Sequence, residues 1–258
     1  MPNSVPLSVV IITFNEERNI GRCLESIRGI ADEVVVVDSF STDRTEAICR
    51  QYGATFLRHP FEGHIQQKNY ALSQATHPCI LSLDADEALS PALQQSVRAI
   101  KSHWAADAYE MARLTNYCGH WIKHTDWYPD RKTRLFDKRK GRWGGANPHD
   151  RVELEPGATQ QRIGGDLLHY SYHSVSQHIG QLNYFTDIGA RVAFERGKKA
   201  PLPVLLLSPV LKFIKAYFFR LGFLDGYYGF VVCAISAFAS FLKYVKLRQL
   251  RAPHEPTP

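Results

Sequence analysis

A chain of 258 residues, 45% apolar and 22% charged, can bury a sizeable core as one large domain or two smaller ones, which excludes disorder outside the ends. The net charge of +6 is unevenly spread: between Arg191 and Arg251 eleven Lys or Arg stand against two acids, Glu195 and Asp225. That asymmetry points the C-terminal part toward an anionic surface, either lipid headgroups or nucleic acid.

In chain order, Leu7 to Phe14 is a continuous β-branched run, as expected of a strand buried on both faces of a parallel sheet. A helix is expected next, with Asn15 as its cap and Ile20, Cys23, Leu24 and Ile27 on one face. Glu33 to Val37 reads as a second strand closing on Asp38; Ser41, Thr42 and Asp43 open a second helix that runs through Tyr52 and ends at Gly53. Ala54 to Arg58 is a third strand, Gly63 to Ala75 a third helix and Cys79 to Leu83 a fourth strand. Ser90 then caps, and Pro91 starts, a helix carrying Leu93, Val97 and Ile100. Strand and helix alternating at this spacing predict right-handed crossovers and a parallel sheet, with ligands bound outside the carboxyl ends of its strands.

From about Tyr109 to His173 the pattern becomes strand and loop, rich in aromatic and basic residues. Ala200 to Val210, with three prolines, is expected to link two parts, and Leu211 to Arg248 is strongly apolar and bordered by cations. The expected division is therefore 1-108, 109-199 and 200-258. The five cysteines are odd in number, widely spaced and without a C-x-x-C pair, so reduced thiols in a cytosolic setting are expected. The opening MPNSVPLSVVIITFN lacks the basic region and cleavage site of a signal peptide, so no export is expected.

The fourth strand ends in Asp84, Asp86 and Glu87. Like charges this close need a cation, a proton or open water. If the segment stays extended, Asp84 and Asp86 point the same way, and two hard oxygen ligands with open positions suit Mg²⁺ or Mn²⁺ held together with substrate phosphates. Asp38 at the second strand end is placed to accept hydrogen bonds from a base or ribose, with Thr13 in support, and Lys68 to meet a diphosphate; the bland alternatives are a turn cap for Asp38 and a solvated charge for Lys68.

"LSVVIITFNEERNI", "EVVVVDSFSTDRT", "QQKNYAL" and "LSLDADEAL", in that order, resemble the nucleotide-binding half of the inverting glycosyltransferases of family 2, which have the GT-A fold. The resemblance implies an α/β fold with a Rossmann-like, mostly parallel sheet flanked by helices. It implies that Asp38 contacts the nucleoside with Thr13 and Glu16 nearby, that Lys68 lies by the nucleotide-sugar, that Asp84 is close to ribose and sugar, and that Asp86 binds the divalent metal. Family members often carry two aspartates where this chain has Asp38 followed by Ser39. "RKTRLFDKRKGRWGGANPHDRVEL", "LLHYSYHS" and "FFRLGFLDGYYGF" resemble the bacterial subgroup that adds glucose to the inner core of lipopolysaccharide. A UDP-sugar donor and a lipid-linked saccharide acceptor follow from that resemblance.

Inverting transfer needs a base for the acceptor hydroxyl and stabilisation of the departing diphosphate. The resemblance places the base at Asp150, with His149 as competitor because an imidazole titrates near neutrality. His169 is a candidate further ligand of metal or diphosphate. Seven basic residues between Arg131 and Arg142, among them Arg134, stand against Asp137 alone and form a candidate dock for an anionic acceptor, with Trp143 and Trp121 as candidate platforms for sugar rings.

Gly226 to Leu242 is seventeen residues without a charge, at the lower limit for a span, and Lys212, Lys215 and Arg220 recur among apolar residues upstream as in a helix lying in the headgroup plane. A peripheral attachment to the cytoplasmic side of the bacterial inner membrane is expected. Rival readings fare worse. An aspartyl phosphohydrolase carries its D-x-D on the first strand, and no recognised nucleic-acid module accompanies the basic pI, so no nucleic-acid partner is expected. A polyprenyl phosphate acceptor is the runner-up, but that sister activity usually comes with obvious paired membrane spans, which this chain is expected to lack.

Overall fold

The strand β1 (Leu7–Thr13) is the centre about which the sheet is built, with β2 (Glu33–Asp38) on one side and β4 (Cys79–Asp84) on the other, both parallel to it. Alternation sends its side chains to two faces. Val9 and Ile11 join one buried cluster with Ile20, Cys23 and Leu24 of α1 (Ile20–Ser26), Cys49 of α2 (Thr45–Gln51) and Leu93 and Val97 of α4 (Pro91–Ser102). Val10 joins the other, with Ala71 and Leu72 of α3 (His64–Gln74). A strand covered on both faces has no polar face to show, which is why its sequence is an unbroken apolar run; each such side chain contributes roughly 1.5–3 kcal/mol on burial.

The computed structural model describes residues 4–146 and 149–251, except for the side chains of residues 146 and 149. The sheet continues β3 (Thr55–Arg58), β2, β1, β4, β8 (Asp130–Asp137), β6 (Ala108–Tyr117), β11 (Gln160–Tyr172) and β5 (Glu87–Leu89), and β7 (His120–Ile122) pairs with β6. The first four strands are parallel; β8 runs antiparallel to β4 and β6, and β5 antiparallel to β11. A separate hairpin, β9 (Gly141–Ala146) and β10 (His149–Leu154), packs Trp143, Val152 and Leu154 against the α3 side of the sheet.

The chain divides into two compact units, Met1–Leu114 with Asp130–Tyr170, and Thr115–Pro129 with Ser171–Pro258. Thr115–Pro129, expected within the middle section 109-199, is grouped with the C-terminal helices. In that second unit α5 (Val175–Glu195) packs Ala190 and Ala193 against Leu247 of α7 (Gly226–Arg251). Tyr117, Ile122 and Val232 form a second small core with Trp127 and Tyr172.

Several local expectations are corrected. Asn15 does not cap α1: it adopts φ +54° and its side-chain oxygen accepts from Thr42 N at 2.9 Å, while Asn19 takes the cap position. The segment expected to be a linker is helix α6 (Leu202–Ile214), because Pro201 stands at the cap and Pro203 in the first turn, where no N–H donor is needed. Pro209 lies inside it, and a π turn over Lys215–Phe219 follows. The long helix α5 was not expected at all. Leu202–Phe219 and Gly222–Arg251, of 18 and 30 residues, are long and apolar enough to cross a membrane, so a pair of candidate spans is present after all. The second outruns its uncharged stretch because Lys243, Lys246, Arg248 and Arg251 lie toward the helix C-terminus, where cations favour the dipole.

Candidate active site

Three neighbouring strand ends gather the first unit's polar residues: in register, Thr13 lies beside Asp38 and Ile12 beside Asp84. The loops that follow are laced together, Asn15 N donating to Ser41 Oγ (2.7 Å), Glu16 N to Thr45 Oγ1 (2.9 Å) and Glu17 N to Asp43 Oδ2 (3.0 Å). Asp38 is fully buried and accepts from both the Ser41 amide (2.8 Å) and the Ser41 hydroxyl (2.5 Å). Thr13 is also buried, and its hydroxyl has no hydrogen-bond partner among the described residues. The Glu16 carboxyl is pushed up to about 7 by burial, with Asp86, Asp43 and Asp84 adding to the effect and the Asn19 amide opposing it.

The two aspartates of the acidic cluster have different partners. The chain leaves extended geometry at Ala85 and Asp86, so the side chains do not act as the same-facing pair an extended segment would give. Asp84 meets Lys68 Nζ at 2.9 Å and Arg134 Nη2 at 2.7 Å. Burial works to raise its pKa, but Lys68 and then Arg134 outweigh burial and hold the carboxyl well below the usual range. Lys68, 3% exposed, also reaches Asp150 Oδ2 at 2.7 Å, and its ammonium lies over the Trp143 ring, 4.2 Å from the centroid. Arg134 passes on to Glu87 (2.7 Å), Glu87 to Arg113 (3.4 Å) and Arg113 to Asp130 (2.6 Å). The result is a ladder of alternating sign, Asp150, Lys68, Asp84, Arg134, Glu87, Arg113 and Asp130, buried at Lys68, Arg134 and Glu87, in which each rung meets the opposite charge.

Asp86 stands apart from that ladder and meets the His169 imidazole, Nε2 to Oδ2, at 3.2 Å. Strand β11 puts it there: His169 is in register with Glu87, and Tyr170 N donates to Asp86 O at 2.9 Å. Burial again opposes ionisation, and the His169 imidazole reverses it, leaving the Asp86 pKa lowered. Among the described residues no group of three or more His, Cys, Asp or Glu could hold a metal ion. Asp86 and His169 fit one with two protein ligands, a carboxylate and an imidazole, leaving the other positions to substrate oxygens and water, as Mg²⁺ and Mn²⁺ tolerate.

The profile of Glycosyl transferase family 2 matches residues 8–153, more than half of the chain. The chain belongs to this family. An uncharacterized glycosyltransferase of Rickettsia prowazekii is 33% identical over 254 residues, 95% of this chain and 87% of that one. The lipopolysaccharide core biosynthesis glycosyltransferase LpsC of Rhizobium meliloti is 30% identical over 257 residues, covering 96% and 94%. The structure is similar to that of a mannosyltransferase from Pyrobaculum calidifontis in complex with GDP-Man and Mn²⁺, with TM-score 0.55 and 17% identity over 97% of this chain and 89% of that one; at that identity the likeness concerns the fold, which is GT-A-like.

In this glycosyltransferase the basic run after Asp130 is not one surface. Arg134 is 3% exposed and turned to Asp84 and Glu87, while Arg139 pairs with Asp137 (2.6 Å) and Lys138 bonds the Ala75 carbonyl (2.6 Å). Arg131, 4.0 Å from Glu110, and Arg142 on β9 remain exposed. Trp143 is buried at 3% and stacks beneath Lys68 and Arg134; the His149 side chain lies outside the described residues. Sequence reasoning missed Arg113, Glu87 as a ladder member, and Asn69. Asn69 clasps the Trp143 backbone in both directions, at 2.9 and 3.0 Å, and so fixes the hairpin carrying Asp150 to α3. The signal for Glu87 was available: a third acid directly following a buried apolar strand requires a buried cation.

Proposed function

We propose that this glycosyltransferase moves a hexose, glucose, from UDP-glucose to a lipid-linked acceptor of the lipopolysaccharide inner core, with inversion, on the cytoplasmic side of a bacterial inner membrane. The observation that carries this reading is the separation of the two aspartates: Asp84 is neutralised by Lys68 and Arg134, whereas Asp86 with His169 is left for an ion and its diphosphate. The likeness to the lipopolysaccharide core enzyme LpsC supports the acceptor.

When bound, Mg²⁺ or Mn²⁺ at Asp86 and His169 supplies Lewis-acid stabilisation of the negative charge that develops on the diphosphate. Thr13, whose hydroxyl has no partner among the described residues, and Asp38, at the neighbouring strand end, face the nucleoside, with Glu16 in the adjoining loop. Lys68 lies by the diphosphate, and Asp84 by the ribose and sugar, orienting Lys68 through their ion pair. Asp150 accepts the proton of the acceptor hydroxyl as its oxygen bonds to the anomeric carbon and the carbon–phosphate-oxygen bond breaks, the electron pair leaving with UDP. The Lys68 ammonium, 2.7 Å from Asp150 Oδ2, holds that carboxylate in position for the transfer. Exposed Arg131 and Arg142 would contact acceptor anions.

The second unit carries the membrane attachment. Leu202, Leu206, Leu207, Val210, Leu211 and Phe219 are all more than half exposed, an apolar face that a lipid phase would cover. The paired apolar helices favour a second acceptor, polyprenyl phosphate. A panel of UDP-, GDP- and other nucleotide-sugars, scored for nucleotide release with purified core lipid and with polyprenyl phosphate, tests both. UDP-glucose turnover with core lipid is expected, and release with neither acceptor would defeat both readings.

A further inference from the structure

The second unit has an open cavity of about 380 Å³ that the proposed reaction does not use. Its walls are aromatic at Trp127, Tyr172 and Phe185, and two cations line it, Lys212 of α6 and Lys243 of α7. Lys243 has no carboxylate partner among the described residues; its ammonium lies over the Tyr244 ring, 4.6 Å from the centroid. Burial, and then the neighbouring Lys198 and Lys212, hold its pKa below the ordinary lysine value. Lys212 has Asp126 at 3.7 Å, but Asp126 is shared with Arg220 at the same distance. The Ser236 hydroxyl, also lining the cavity, makes no hydrogen bond among the described residues.

Lys246, three residues beyond Lys243, shows what a structural lysine looks like in this unit. It meets Asp187 at 2.8 Å, the Asn183 carbonyl at 2.8 Å and the Thr186 hydroxyl at 2.9 Å. Lys212 and Lys243 lack such saturation, yet they face a cavity where two cations repel one another. An inorganic anion would pair the lysines and leave the aromatic wall in water. A neutral lipid would cover the wall and leave the cations opposed. A ligand with an anionic head and an apolar body satisfies both.

We infer that this cavity is a seat for the phosphate headgroup and upper acyl chain of an anionic membrane phospholipid, with Lys212, Lys243 and Ser236 on the phosphate and Trp127, Tyr172 and Phe185 along the chain. The seat makes attachment selective for lipid charge, where the exposed leucines of α6 alone would bind any bilayer.

The test uses the full chain and vesicles of phosphatidylcholine with or without phosphatidylglycerol, the chosen lipid brominated near the headgroup. The difference in emission between the protein and its Trp127→Phe variant isolates the ring in the cavity. Brominated phosphatidylglycerol is expected to quench Trp127 several-fold more than brominated phosphatidylcholine at equal vesicle binding. The Lys212→Gln/Lys243→Gln variant should lose that preference, whereas Arg196→Gln/Arg248→Gln, which removes as much charge outside the cavity, should keep it; unchanged thermal melting verifies that both fold. Equal quenching by the two lipids, or equal loss in the two double variants, overturns the inference. Inorganic phosphate shifting Trp127 emission as fully as the lipid would also overturn it, by revealing a site for a free anion. None of these readouts depends on sugar transfer.

Discussion

Asp84 shares its carboxylate between Lys68 and Arg134, and Asp86, two residues on, meets an imidazole. Their replacement should therefore differ in kind. Asp86→Ala removes the partner of an imidazole rather than of a permanent cation such as Arg or Lys, so the fold should survive. Transfer should fall by at least about a hundredfold, and manganese-dependent UDP binding should vanish in calorimetry; undiminished activity of the parent chain in excess chelator would count against a metal at this residue. Arg134→Met leaves Asp84 and Glu87 facing each other without their shared cation and should cost about 3–5 kcal/mol, read as a lower urea midpoint. Asp150→Asn is expected to retain UDP-sugar affinity and lose turnover, which separates base from binder in a single titration and rate measurement. The ladder joining these residues was hidden from the sequence because its contacts are non-local: Lys68 and Asp150 lie 82 positions apart. The acids themselves were visible, since carboxylates closing an apolar strand have few other uses.

Elements that meet at close range carry their own constraints. Gly165 in β11 has φ +90°, and a Cβ there would sit 2.2 Å from Leu93 N and 2.7 Å from the Ala92 carbonyl carbon at the start of α4. Gly165→Ala should destabilise by about 2 kcal/mol or more, seen in equilibrium denaturation, because backbone rather than a side-chain tip blocks it. Helix α5 places His178 against β6, Nδ1 3.0 Å from the Tyr117 hydroxyl, and burial pushes its pKa down to about 4. The unfolded chain takes this proton near the ordinary value of about 6.5, so stability is complete above that pH and falls by up to about 3 kcal/mol as pH drops toward 4. Melting temperatures between pH 7 and 4 should show the decline, and His178→Gln should flatten it. The parallel strands were legible because burial on both faces of β1 leaves a continuous apolar run. Helix α5 was not, since its buried positions are His178, Leu182, Thr186, Ala190 and Ala193, too small or polar to mark a stripe. Prolines masked α6 by suggesting a linker, although at a helix start they are neutral or favourable.

At the scale of the molecule, one unit holds the charged ladder and the other exposes apolar helices. Leu206, Leu207 and Leu211 are 53%, 57% and 62% exposed, so changing all three to Ser should leave the melting temperature within a degree or two while sharply lowering co-sedimentation with vesicles. That is a cleaner test of attachment than truncation, which would uncover Ala190 and Ala193 by removing Leu247. The ladder, finally, bears on how such a protein can change over generations. Its rungs are bound to one another by sign, so one loss leaves an orphan charge in the interior, whereas an opposite-signed pair such as Arg134 and Glu87 can disappear together at little cost. Substitution there is expected to travel by twos, with the intermediate step the hardest to survive.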